Sequence, residues 1–107
     1  MSVFVVETYV VPPEKREKFK LLMQRLFEYE KENTKLFKEV RSLKLFTQVF
    51  GGIAGEYIEM WEFESMTDLE KCWERENTDE KFMNIHKEFL QLIDPTTFSM
   101  KMWSSVT

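Results

Sequence analysis

The chain contains one cysteine and one histidine in 107 residues. A lone cysteine excludes an intrachain disulfide and a Cys-rich metal site, and a lone histidine leaves no His/Cys cluster at metal-ligand spacing. No phosphate-binding loop, dinucleotide fingerprint or G-x-S-x-G elbow is present, so nucleotide hydrolysis, zinc catalysis and esterase chemistry are set aside. No apolar run approaches the ~20 residues that cross a bilayer, which argues against a membrane partner. The opening Met1-Ser2-Val3-Phe4 has neither a basic stretch nor a small-residue cleavage site, and a cytoplasmic protein is expected. With a net charge of -4 and no basic groove, nucleic acid is not an expected partner.

What is present is 43% hydrophobic and 32% charged residues, the balance of a globular chain, and residues 1–107 read as one domain. Charge is unevenly spread. Glu14 to Lys44 hold ten Lys/Arg against six acids, while Glu56 to Glu80 hold ten acids against two bases.

Val3 to Val10 alternates in the manner of a strand, with Val3, Val5, Glu7 and Tyr9 opposite Phe4, Val6, Thr8 and Val10, and Pro12-Pro13 ends it. From Pro13, Phe19, Leu22, Met23 and Leu26 recur at helical spacing, and the stripe continues through Tyr29, Leu36, Phe37 and Val40. Glu32-Asn33-Thr34 is a possible break, so residues 13–40 form either one bent helix or two. Arg41 to Phe50 reads as a second strand. Gly51-Gly52-Ile53-Ala54-Gly55 turns it into a third, Glu56 to Glu64, with Tyr57, Glu59, Trp61 and Phe63 on one face and Ile58, Met60, Glu62 and Glu64 on the other. Thr67-Asp68-Leu69-Glu70 has the form of a capping box that opens a helix carrying Leu69, Cys72 and Trp73 inward. Cys72, on that apolar stripe, reads as a buried and inert thiol. A further helix capped by Thr78 follows, with Phe82, Ile85, His86, Phe89, Leu92 and Ile93 on its stripe, and Asp94-Pro95 stops it. Thr96 to Val106 is the last strand.

The order β-α-β-β-α-α-β predicts an α+β, ferredoxin-like fold, a four-stranded antiparallel sheet with helices on one face. Every strand carries apolar residues on both faces, and helices can cover only one. A homodimer packed sheet against sheet is the expected remedy.

At this point the chain resembles the dimeric α+β barrel superfamily, of the antibiotic-biosynthesis-monooxygenase and NIPSNAP type. The resemblance rests on Glu7-Thr8-Tyr9 before Pro13, on Glu59-Met60-Trp61-Glu62-Phe63-Glu64-Ser65, and on the following helix with Trp73. It implies a small-ligand-binding protein, with cofactor-free monooxygenation of a small apolar or aromatic molecule as one activity and a non-catalytic binding or assembly module as another. No resident cofactor is expected on the main reading. Haem is the alternative, since haem-degrading members combine an Asn on the first strand with a Trp and a ligating His on the later helices. Trp73 and His86 stand in the Trp and His places, His86-Lys87 resembles that family's His-Lys pair, and Glu7 stands in the Asn place.

The residues themselves nominate Glu7, Glu59 and His86 as candidate catalytic groups. Glu7 and Glu59 share strand faces with aromatics, and the first and third strands are neighbours in this topology, so the two carboxyls converge. An acid among aromatic rings has its pKa raised by desolvation, as a general base requires. The alternative is structural ion pairing with Arg41, Lys44 or Lys101. Tyr9, Tyr57, Trp61 and Trp73 are the candidate substrate-binding residues, forming the walls of a pocket for a flat apolar molecule. His86 reads either as a ligand or base, or as a half-buried histidine bonded to a neighbour.

Overall fold

The computed structural model describes residues 1–107. Strands β1 (Val3–Val10), β2 (Ser42–Thr47), β3 (Glu56–Phe63) and β4 (Asp94–Ser104) form one antiparallel sheet in the order β2-β3-β1-β4. Helices α1 (Arg16–Glu32), α2 (Met66–Glu76) and α3 (Glu80–Leu92) complete the ferredoxin-like α+β order, with a 3-10 turn at Pro13–Lys15 before α1.

Alternation along β1 and β3 sends Val5, Tyr9, Trp61 and Phe63 into a core shared with Phe19, Leu22, Met23 and Leu26 of α1, Leu69 and Cys72 of α2, and Ile85 and Phe89 of α3. This inner face holds nearly all the buried residues. On the outer face Phe4, Ile58 and Met60 are half-buried, while Phe46 and Trp103 are 46% and 50% exposed. The register sets Ile58 between Phe46 and Thr8, and Met60 between Lys44 and Val6, so the outer apolar residues are contiguous.

Residues 13–40 form neither one bent helix nor two: a single helix, Arg16–Glu32, is followed by turns. Asn33 ends α1, its backbone N–H donating to the Tyr29 carbonyl, and residues 34–39 are a run of turns that buries Phe37. The Phe37 ring lies 6.1 Å from Trp61 and 5.6 Å from Phe82, so the helical stripe continues as packing without continuing as helix.

Both helix caps fall elsewhere than the sequence pattern suggests. Ser65, not Thr67, caps α2, its hydroxyl accepting from the Asp68 N–H at 3.2 Å. Asp79, not Thr78, caps α3, its carboxylate accepting from the Phe82 N–H at 2.9 Å, while the Thr78 hydroxyl donates back to the Arg75 carbonyl. In each case a neighbour one or two positions away has the extended backbone that a cap needs. Strand β2 ends at Thr47, leaving Val49 and Phe50 exposed in the connection, where Gly51, Gly52 and Gly55 take the positive φ that the turn demands. Strand β4 begins at Asp94, ahead of the expected Thr96, and stops at Ser104, ahead of the expected Val106. Pro95 is tolerated there because the β1–β4 register shifts between Thr8 and Val10, and an irregularity asks no ladder donor of it.

Ser65→Ala is expected to cost ~1 kcal/mol of stability and Thr67→Ala close to nothing, measured by urea denaturation; an equal cost for both would contradict the cap assignment.

Candidate functional site

The inner face of the sheet bears an unusual row. The register runs Leu45, Glu59, Glu7, Met100 across β2, β3, β1 and β4, so two carboxyls stand directly opposite each other on the central strands. Above them, between sheet and helices, lies a cavity of about 320 Å³. Its walls are largely apolar, with Trp61 of β3, Trp73 of α2 and Phe82 and Phe89 of α3 prominent. Three acids line it: Glu7, Glu59 and Glu76, the last from the final turn of α2.

Glu59 is 5% exposed and accepts two hydrogen bonds, from the Tyr9 hydroxyl at 2.9 Å and from the Trp61 indole N–H at 2.6 Å. Those donors suit a charged carboxylate. Glu7 is held in the opposite state. Burial chiefly, then the Glu59 charge and the hydrogen bond shared with Glu59, raise its pKa from 4.5 to about 9. Glu7 is therefore held protonated at neutral pH. The same burial, with the Glu59 charge adding to it, holds the Tyr9 hydroxyl protonated. Glu76 is 6% exposed, and burial lifts its pKa to about 7 against the opposing influence of the Cys72 thiol and Arg75.

No cation neutralises the two strand acids. The ion pairs are Arg25 with Glu88, Arg41 with Glu64, and Arg75 with Glu39, none of which includes Glu7 or Glu59. The structural pairing with Arg41, Lys44 or Lys101 that the sequence left open is absent.

Of the other residues nominated from sequence, Trp61, Trp73 and His86 line the cavity. His86 is exposed, not half-buried, and its ring lies 6.1 Å from that of Phe89. Tyr9 and Tyr57 lie outside the cavity lining. Tyr9 is fully buried behind it, packed edge-on to Phe19 and Phe89, and acts on the site only through its bond to Glu59. Tyr57 faces a second, more open hollow between α1 and β2, beside Leu45 and Phe27. Glu76, Asn77 and Met100 join the cavity without having been singled out. The signal for Glu76 was its place on the stripe of Leu69, Cys72 and Trp73, three and four residues after the last two, where a carboxylate among apolar residues points inward. Cys72 is fully buried and its thiol is pushed up to about 12 by burial first and by Glu76 and Glu39 next, which makes it a poor nucleophile.

The residues do not fit haem. The cavity is small for a macrocycle, and it has no Lys or Arg among its lining residues to pair with a ligand that brings carboxylates of its own.

The fold is shared with solved structures of low sequence identity. A NIPSNAP family protein from Agrobacterium tumefaciens superposes with a TM-score of 0.75 at 13% identity, covering 99% of this chain and 94% of its own. A Caulobacter crescentus protein provisionally named an antibiotic biosynthesis monooxygenase gives 0.75 at 18% identity, covering 99% and 91%. A dimeric protein of unknown function and ferredoxin-like fold from Bacteroides fragilis gives 0.64 at 11% identity, covering 97% and 96%. No protein-family model matches the sequence, and no curated protein does. These likenesses establish the ferredoxin-like fold.

A raised acid has a definite consequence for stability. Between pH 4.5 and about 9 the folded chain keeps the Glu7 proton and the unfolded chain loses it, so the folded state binds more protons and stability falls as pH rises through that window. Glu7→Gln removes this penalty. Thermal melts are expected to show the variant matching wild type near pH 4 and exceeding it increasingly toward pH 9, by a few kcal/mol in order of magnitude. A pH-independent difference would mean that Glu7 is not held neutral.

Proposed function

We propose that this chain is a small single-domain, ligand-binding protein that works as a homodimer, and that its cavity holds a small, mostly apolar or aromatic molecule with which the Glu7–Glu59 pair exchanges a proton. The observation that carries this reading is an opposed carboxyl pair, Glu59 buried and Glu7 half-buried, without a cationic partner and opening on an aromatic-walled cavity of about 320 Å³. Such an arrangement costs stability, and sites of this kind are where proteins place acid–base chemistry. At neutral pH Glu7 donates a proton or hydrogen bond, and Glu59, whose four acceptor sites exceed the bonds from Tyr9, Trp61 and Glu7, receives one. Trp61 and Trp73 wall the ligand, and His86 orients it from the exposed side. Tyr9 positions Glu59.

The reaction class is proton abstraction followed by oxygenation without a cofactor. Removing a proton from an activated C–H or phenolic O–H leaves an electron-rich ligand that molecular oxygen can oxidise, a reaction that asks the protein only for a base, a dry cavity and orientation. The name of the Caulobacter neighbour is consistent with it. A neutral flat probe such as 2-naphthol is expected to quench the cavity tryptophans saturably. With a ligand that is turned over, Glu59→Gln is expected to slow oxygen uptake by about 10²–10⁴-fold, the usual worth of a positioned acid or base. Unchanged uptake would remove Glu59 as the base, and absence of saturable quenching would remove the cavity from consideration.

The dimer is supported by the outer sheet face, where Phe4, Phe46, Ile58, Met60 and Trp103 leave apolar surface open to water, and by the dimeric Bacteroides neighbour. The reading includes a cytoplasmic location, which the free and buried Cys72 suits; no helix is long and apolar enough to cross a membrane. Sedimentation is expected at twice the chain mass of 13.0 kDa, and Ile58→Lys is expected to return it to the single-chain value. A wild-type protein that stays at 13.0 kDa at high concentration would refute the dimer.

A further inference from the structure

Charge bookkeeping around the cavity constrains its ligand more narrowly than shape does. Three carboxyls line it, and neither Lys nor Arg is among its lining residues. Glu59 at least has two donors. Glu76 has almost none: it is 6% exposed, enters no ion pair, and has only the Cys72 thiol beside it, whose Sγ lies 3.7 Å from the Leu36 carbonyl oxygen to which it donates. The adjacent Arg75 is turned away, its guanidinium bonded to the Leu36 carbonyl at 3.2 Å and to the Glu39 carboxylate. No fully buried side-chain oxygen lacks a partner, so the Glu76 oxygen without a protein donor is one that opens on the cavity, where a donor on a ligand can reach it. Around it the cavity is lined by Trp61, Trp73 and Phe82, aromatic rings whose faces attract cations and not anions.

Resting on the reading of this cavity as a ligand site, we propose that its ligand is a hydrophobic amine bound as the ammonium cation, with the N–H donors on Glu76 and the Glu7–Glu59 pair and the apolar body against Trp61, Trp73 and Phe82. The cation supplies the counter-charge that the chain itself withholds. A ligand carboxylate or phosphate finds neither Lys nor Arg among the lining residues to offset its charge.

Binding of such a cation expels protons. The ionisable groups around Glu76 are Glu7 on β1, Glu59 on β3, Cys72 and Arg75 on α2, His86 on α3, and Glu39 in the turns before β2. Among those that face the ligand, Glu7 and Glu76 hold protons near neutrality, and an ammonium group favours their charged forms. Affinity for an amine therefore strengthens as pH rises from 6 toward 8, while affinity for a neutral analogue of the same shape stays flat.

Three probes of one shape test this: 1-naphthylmethylamine, 1-naphthylmethanol and 1-naphthoic acid, titrated calorimetrically at pH 7.5 in buffers of different ionisation enthalpy. The amine is expected to bind at least about 10-fold more tightly than the alcohol and to release protons to the buffer, and the acid is expected not to bind. Glu76→Gln, checked for folding by its thermal melt, is expected to keep alcohol binding and to lose most of the preference for the amine. Equal affinity for amine and alcohol would overturn the proposal and leave the cavity reading standing. So would a preference that survives in the Glu7→Gln/Glu76→Gln double variant. Failure of all three probes to bind would take down both.

Discussion

Two carboxyls face each other on the central strands of the sheet, and the inner half of the molecule is arranged to make that tolerable. Like charges directly opposite across a β ladder repel, and burial multiplies the repulsion. The chain answers with one proton and two donors: Glu7 stays neutral while Glu59 takes the Tyr9 hydroxyl and the Trp61 indole. Those donors are the tips of large side chains whose bodies are locked by rings, Tyr9 by Phe19 and Phe89, and Trp61 by Phe37. The aromatic core is thus also the scaffold of a carboxylate. Apolar residues of similar size at positions 7 and 59 would pack without any of this, so the acids are held against the interest of stability.

The third acid depends on a different part of the chain. Ser65 fixes where α2 begins, and that start sets which residues of α2 face the sheet: Leu69, Cys72, Trp73 and Glu76 follow at helical spacing. The turns at 34–39 then do two things. Phe37 fills the space behind Trp61, and the Leu36 carbonyl with Glu39 draws the Arg75 guanidinium off to the side. Had Arg75 pointed the other way, the cavity would contain its own ion pair and have little use for a ligand. A segment that sequence periodicity reads as helix is in fact what keeps the cavity's charge uncompensated.

Much of this was legible in the sequence, for reasons that can be named. Period-two alternation identified which of Tyr57, Glu59, Trp61 and Phe63 share a face with Val5 and Glu7, because a half-buried strand can satisfy its apolar residues in only one register. The proximity of Glu7 and Glu59 followed from topology alone. What failed to show was local. Thr67 and Thr78 looked like caps because cap chemistry is common to Ser, Thr, Asp and Asn, and only backbone conformation chooses among neighbours. Residues 34–39 kept an apolar spacing that turns satisfy as well as a helix does. Tyr9 has the pattern of a pocket wall, yet its ring is consumed by packing and its hydroxyl by Glu59, a distinction that needs distances. Glu76 was passed over because an acid near a helix end reads first as surface charge.

The two faces of the sheet make separate demands, and the geometry lets both be met. The cavity belongs to the inner face and is walled by α2 and α3, while the apolar residues that ask for cover, Phe46, Ile58 and Met60, are on the outer face. Its exposed lining residues are Asn77 at the end of α2, His86 on α3 and Met100 on β4, 48% exposed, so the mouth lies beside α3, between the end of α2 and the β4 edge strand. A second copy laid against the outer face would leave this mouth clear and would stiffen β1 and β3, the two strands that carry Glu7 and Glu59. Association on one side of the sheet would then serve chemistry on the other, by holding the opposed carboxyls at the separation that lets them share a single proton.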